Sequence, residues 1–230
     1  MSKSDRAALF AAMREYAPNN QIPANDVPVI DGIADRWGMA RVASAHTLAN
    51  PAAFYAEVRK ITGALDQVQV NTIEALLHKG AHWPIAWLAY GLATAWHEAR
   101  MKPIAEWGKG GNRPYAKPGK YGQPQYGRGL VQLTWDRNYE WADKALGLNG
   151  SLLKDFDRAL EPDIASDILV KGMETGAFTG KALRDYLPTE RGGFDQFRNA
   201  RRIINGTDKA TAIASHALAF QNALSAGGWA

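Results

Sequence analysis

Apolar positions recur at helical spacing through most of the chain. Over residues 5–16, Leu9, Phe10, Met13 and Tyr16 fall near one face, the three-to-four-residue period of an amphipathic helix. After the turn-rich stretch 18–23, Val27, Ile30, Ile33, Ala34 and Trp37 mark a second helix over 25–37, with Pro28 tolerated in its first turn. The pattern then returns. Phe54-Tyr55-Ala56-Glu57-Val58-Arg59 parallels Leu9-Phe10-Ala11-Ala12-Met13-Arg14, and Leu65, Val70, Ile73 and Leu76 parallel Ile22, Val27, Ile30 and Ile33 after a gap of two residues. Two copies suggest a duplicated helix pair, although two unrelated amphipathic pairs would look the same. The small, polar segment 38–50 is the natural boundary. It separates a helical accessory region over 1–50 from a main domain over 51–230.

Residues 84–100 are apolar nearly all round, which predicts a central, buried helix. Counting back from Glu98 by helical period puts Ala95, Thr94, Gly91 and Trp87 on its face, with no Lys or Arg among them. Gly91 leaves room for another chain segment, or a substrate, to come close. Residues 107–129 hold seven Gly and three Pro, a long loop of the kind that is usually functional or disordered. The run 130–133 reads as a short strand, after which Thr134 caps a helix over 135–146 that Gly147 stops. Further helices are expected over 162–175, 193–204 and 208–225. The sum is a mainly α chain, a helical bundle with a small β element beside the candidate site.

Composition narrows the class. A chain of 230 residues, 46% hydrophobic and 22% charged, has the make-up of a soluble globular protein. With no cysteine, disulfides, thiolate metal sites and a cysteine nucleophile are excluded. The charged start Met1-Ser2-Lys3-Ser4-Asp5-Arg6 argues against a secretory signal. The longest apolar run, 84–96, falls short of the roughly 20 residues a membrane span needs. The net charge of +4 is concentrated: Arg100, Lys102, Lys109, Arg113, Lys117, Lys120 and Arg128 face a single acid, Glu106, in that stretch. A basic surface attracts nucleic acid, anionic lipid or anionic cell wall alike.

Glu98 is the sharpest chemical candidate. At the end of a buried helix a carboxyl loses solvation and tends to keep its proton, as a general acid must. The plainer account is an ion pair with Arg100 or Lys102 where the helix emerges. His97-Glu98 lacks the second histidine of a helical zinc motif, since Met101 occupies that place; His97 reads as a packed neighbour. Glu106 could serve as general base, activating a water across a sugar ring, or could pair with Lys102 or Lys109. Trp107, Tyr115, Tyr121 and Tyr126 interleave with the loop cations, which suits sugar stacking or single-stranded nucleic acid equally. Gln132 and Thr134 alternate on the expected strand and so share a face. The residues alone reach a paired-carboxylate hydrolase.

His97-Glu98, then Glu106, then Tyr126-Gly127-Arg128-Gly129-Leu130-Val131-Gln132-Leu133-Thr134, then Asn138-Tyr139, together resemble glycoside hydrolase family 19, which holds class I chitinases and many phage endolysins. Arg201-Arg202-Ile203-Ile204-Asn205-Gly206 is similar to a later segment of that family. Met101-Lys102-Pro103-Ile104-Ala105-Glu106-Trp107-Gly108 and Gly111-Asn112-Arg113-Pro114-Tyr115 point to its phage and prophage endolysin branch. The likeness covers roughly residues 52–226. It departs in a connection after Glu98 about two residues short, and in lacking the disulfides of plant members. The resemblance implies a lysozyme-like α+β fold and an inverting mechanism, with Glu98 as general acid, Glu106 as general base and Thr134 helping to place the water. Tyr126, Gln132, Asn138 and Asn205 would bind substrate, without cofactor or metal. An inverting pair stands about 6.5–9.5 Å apart. The implied partner is bacterial peptidoglycan, met by a monomer made in the host cytoplasm and released to the wall, with no nucleic acid and no stable membrane insertion. Chitin is the alternative substrate. A nucleic-acid-binding helical protein is the non-enzymatic alternative, which would be indifferent to Glu98→Gln.

Overall fold

In the computed structural model the described residues are 46–230, together with isolated earlier positions (12, 13, 16, 26, 29, 30 and 33). The chain divides into two compact units, residues 1–45 and 46–230. The helices expected over 5–16 and 25–37, and with them the first copy of the suggested duplication, lie almost wholly outside the described residues.

The second unit closes its own ends. Thr47 N–H donates to the carbonyl of Ala230 (3.0 Å), Asn50 N–H donates to Gly227 (2.8 Å), and Leu48 bridges Trp229. Asn50 then caps helix α1 (Pro51–Thr62) by accepting from Ala53 N–H (3.0 Å). Helix α2 (Gln67–Lys79) begins with a full capping box between Asp66 and Gln69, which satisfies two donors that a helix start would otherwise leave unpaired.

Helix α3 (Ile85–Ala99) is the core element. From Ile85 to Ala95 every residue except Trp87 is buried. It packs against α2, against α6 (Pro162–Thr175) and most extensively against α8 (Ala210–Ala226), which also covers α1 and α7 (Phe194–Ala200). Gly91 explains one contact. A Cβ there would stand 3.1 Å from the Trp83 ring and 3.4 Å from a Leu169 methyl, so it is the chain itself, through Trp83 and Leu169, that makes the close approach. Among the described residues no helix is long and apolar enough to cross a membrane.

The β element is a two-stranded antiparallel sheet, β1 (Ile104–Ala105) with β2 (Arg128–Gly129). It brackets the loop and leads, through a turn, to α4 (Asp136–Ala145) and the short α5 (Ser151–Lys154). Mainly helical with this small sheet, the unit has the architecture expected of the sequence. The β assignment itself moves, because the run 130–133 is a turn and not a strand. Arg128 and Leu133 exchange backbone hydrogen bonds (3.1 and 2.9 Å) across it, with Gly129 (φ +81°) and Gln132 (φ +54°) in left-handed conformations. Three apolar residues and Gln132, entered through Gly129, make a tight reversal here, and Leu130, Val131 and Leu133 are buried by its packing. Nor does Thr134 cap α4. The cap position is Trp135, which makes no side-chain cap bond.

Candidate active site

Glu98 occupies the last full turn of α3, which closes through two successive left-handed residues, Arg100 (φ +51°) and Met101 (φ +58°). Met101 N–H donates back to Ala95 (3.1 Å), and Gln69 of α2 donates to the Arg100 carbonyl (2.9 Å). Glu98 pairs with neither Arg100 nor Lys102. Arg100 lies over the Trp96 ring (4.9 Å), and Lys102 pairs with Asp66. The partner is Arg201, 103 positions along the chain, whose Nη1 donates to Glu98 Oε1. Arg201 is 3% exposed and Glu98 19%. Its Nε donates to the Asp208 carbonyl (3.0 Å), so the guanidinium is tied to the chain as well as to the carboxylate. The uncompensated carboxyl expected from an apolar helix is thus one half of a part-buried ion pair.

The second oxygen of Glu98 has no partner among the described residues and is not sealed from solvent, so it is the atom available to a ligand. His97, beside it, is half-buried. Burial above all, with the charges of Arg201 and Arg100, holds its pKa below the ordinary 6.5 against the pull of Glu98 and Asp208.

Glu106 is fixed by a different kind of structure. It follows β1, and its N–H donates to the Gly127 carbonyl (2.7 Å). Its side chain returns the contact: Gly127 N–H donates to Oε2 (3.2 Å) and the Tyr115 hydroxyl to Oε1 (2.9 Å). Arg113 lies 3.6 Å from the same oxygen, in place of the lysines proposed as partners. Donors on both oxygens suit a carboxylate acting as acceptor, the role of a base.

Beneath this loop is a polar core that no periodicity announces. Arg128 is 3% exposed and pairs with Asp157 (2.6 Å). Its Nη1 donates to the carbonyls of Pro124 and Tyr126 and to the Tyr139 hydroxyl, and the guanidinium stacks 3.7 Å from the Tyr126 ring. Tyr139 stacks on Phe156 (3.8 Å), and burial pushes its hydroxyl pKa up to about 12. The basic stretch is therefore less free than its composition suggests. Lys102, Arg113, Lys120 and Arg128 are paired with Asp66, Glu106, Glu140 and Asp157.

The remaining candidates fall into two groups. Tyr126, Gln132, Thr134 and Asn138 join Glu106 around the 126–138 turn, whereas Asn205 belongs with Glu98, its N–H donating to the Arg201 carbonyl (3.0 Å). Gln132 spends its amide N–H groups on the carbonyls of Ile104 and Gly129 (3.2 Å each), clamping the turn. Asn138 does the same to the Thr134 carbonyl (2.6 Å). Tyr126 is buried beneath Arg128 and is no open stacking platform. Because 130–133 is a turn, Gln132 and Thr134 do not share a strand face. Sequence reasoning missed Arg201 and Tyr115 as partners of the two carboxylates. Arg201 stood in the segment similar to the family, and Tyr115 among the loop aromatics, but nothing local linked either to its acid. Among the described residues no cluster of His, Asp and Glu is arranged to hold a metal. No family model, curated protein or solved structure matches the chain.

Proposed function

We propose that this chain is a glycoside hydrolase of the endolysin type, cleaving β-1,4 glycosidic bonds of bacterial peptidoglycan by an inverting, two-carboxylate mechanism. The observation that carries this reading is the way the two acids are held. Glu98 is pinned through one oxygen by Arg201 and left open at the other, while Glu106 is held through both oxygens from a loop. An open oxygen on a rigid helix can reach a glycosidic oxygen, and a carboxylate already ringed by donors can orient a water. The resemblance of the residues around Glu98, Glu106 and the 126–139 turn to family 19 supplies the substrate class. In this reading Thr134 helps place the attacking water and Asn205, exposed beside the Arg201 turn, contacts the sugar chain. The protein works from the host cytoplasm outward, reaching the wall once the membrane is breached.

Lysis of permeabilised Gram-negative cells by wild type and by Glu98→Gln, with mass spectrometry of the released fragments, tests it. Clearing by wild type alone, with new reducing sugar ends, is the expected result. Clearing by both proteins would make Glu98 structural. Clearing by neither, with release of sugars from chitin, would move the substrate to the neutral polymer.

A further inference from the structure

A cavity of about 420 Å³ opens at the start of α4, lined by Gln125, Trp135, Asp136 and Arg137. Four observations distinguish it from an ordinary surface dent. Trp135 is 38% exposed at a backbone φ of +70°, a conformation that costs a non-glycine residue about 1–3 kcal/mol and here leaves part of the indole in solvent. Its ring is held edge-on by Tyr115 (5.6 Å, 79°), the residue whose hydroxyl donates to Glu106. One aromatic ring therefore separates the cavity wall from the candidate base.

Asp136 is the second observation. Its Oδ2 accepts from Lys120 N–H (2.5 Å), while Oδ1 is sealed without a donor among the described residues. An oxygen so enclosed is out of a ligand's reach, and it fixes the Asp136 carboxylate as part of the cavity wall. Third, the wall is built closely. A Cβ at Gly119 would fall 2.2 Å from Asp136 Oδ2 and 2.5 Å from Gln125 Nε2, and the Gln125 side chain accepts from Asp136 N–H (2.9 Å). Fourth, Arg137 is exposed and makes no ion pair among the described residues. Lys120, by contrast, is neutralised by Glu140. An unpaired guanidinium therefore stands in the cavity wall.

An apolar indole face beside an unpaired guanidinium describes a ligand with an apolar patch and a carboxylate. We infer that this cavity is a subsite for the carboxylate-bearing part of an amino-sugar polymer, and that Arg137 is the residue selecting an anionic glycan over neutral chitin. The inference rests on the glycosidase reading of Glu98 and Glu106. The carboxylate has two sources, the free carboxylates of the stem peptide where it is present and the lactyl carboxylate where the peptide, which is amide-linked to it, has been removed; guanidinium recognises both through the same paired hydrogen bonds.

Isothermal titration of the full chain carrying Glu98→Gln, with and without Arg137→Gln, reads binding apart from hydrolysis. The probes are soluble peptidoglycan fragments with stem peptides, the same fragments stripped of peptide but keeping the lactyl carboxylate, and a chitin tetramer. Arg137→Gln is expected to weaken binding of intact fragments by about tenfold, the loss of one charge-assisted contact, and to leave chitin binding unchanged. A loss on intact fragments assigns a stem-peptide carboxylate; a loss confined to stripped fragments assigns the lactyl carboxylate. Equal binding by the two proteins on intact and stripped fragments alike, or an equal loss on chitin, overturns the inference. Trp135→Ala should weaken all three probes. If it weakens none, the cavity is not a subsite. Wild type that binds intact fragments through Arg137 yet releases no reducing ends would sink the glycosidase reading and leave the subsite standing. Hydrolysis of peptidoglycan by an Arg137→Gln enzyme as efficient as wild type would do the reverse.

Discussion

Glu98 and Glu106 are eight residues apart in sequence, yet the chain fixes them by opposite means. Glu98 is carried by a helix whose place is set by apolar packing, and its one strong polar contact comes from Arg201, far along the chain. Glu106 sits where almost nothing is packed by regular structure, and its position is the sum of hydrogen bonds from Tyr115 and Gly127 and an ion pair with Arg113. The first arrangement concentrates its risk in one contact and the second distributes it. Removing a partner from each should therefore give unequal results.

The largest effect is expected at Arg201. Arg201→Ala leaves the part-buried Glu98 without its counter-charge, a change that costs up to about 3–5 kcal/mol where the pair is fully buried. Arg113→Ala removes the exposed partner of Glu106 and should cost about 0–1 kcal/mol. Urea denaturation of the two variants measures the difference directly. Similar losses in both would show that water replaces Arg201 at Glu98. The double variant Glu98→Gln/Arg201→Met should recover part of the Arg201→Ala loss, since replacing both charges removes the unpaired one.

Arg128 tests the loop itself. It is the residue that ties β2 to Asp157, Pro124, Tyr126 and Tyr139. Arg128→Met keeps the stacked volume; Asp157 is exposed and the Tyr126 carbonyl keeps the Tyr139 hydroxyl, so the Pro124 carbonyl is the acceptor left unmet, at about 1–3 kcal/mol. Stability should fall by less than in Arg201→Ala, but protease susceptibility should rise first between residues 107 and 129. Cleavage appearing first within α3 or α8 would mean that the loop draws its order from the helices and not from Arg128.

These contrasts also explain what could be read in advance. The helix over 84–100 was legible because full burial makes it apolar nearly all round, and the one over 162–175 because it begins at a proline and buries much of its length; they form as Ile85–Ala99 and Pro162–Thr175. The reversal at 130–133 was not, since Leu130, Val131 and Leu133 are apolar whether they lie on a strand or are folded into a turn. Arg128 read as a surface cation for the same reason that Arg201 went unassigned. A buried guanidinium is defined by acceptors brought in from distant segments, and no local pattern carries that information. The two carboxylates were visible as residue types in unusual settings, but their partners were visible only in three dimensions.

A smaller effect separates position from stability at Glu106. Tyr115→Phe deletes the hydroxyl that donates to Oε1 and keeps the ring against Trp135. The loss in stability should be about 1 kcal/mol, that of one hydrogen bond. If Glu106 is the base, kcat on peptidoglycan should fall about tenfold with KM nearly unchanged, because only the orientation of the attacking water has been loosened. An unchanged kcat would remove Glu106 from the mechanism while leaving the loop structure intact.

The smallest effect concerns pH, on the Glu98 side. His97 on α3 and His216 on α8 are both held below the ordinary 6.5, in each case chiefly by burial. His97 also faces Arg201 and Arg100, with Glu98 and Asp208 opposing them, and His216 faces His97 and Arg100. The unfolded chain takes up protons near pH 6.5 while the folded one resists, so this stabilisation is complete above pH 6.5 and is lost as the pH falls below it. Asp66 and Glu140, lowered by their bonds to Lys102 and Lys120, begin to matter only below their ordinary values of 3.8 and 4.5. The interval from pH 6.5 to 4.5 thus belongs to the histidines. Urea midpoints measured across it should decline for wild type and decline less steeply for His216→Gln, with a further flattening in His97→Gln/His216→Gln. A slope untouched by both substitutions would mean that the packing of α8 on α3 leaves these rings in contact with water, and that the helical side of the comparison is looser than its apolar face implies.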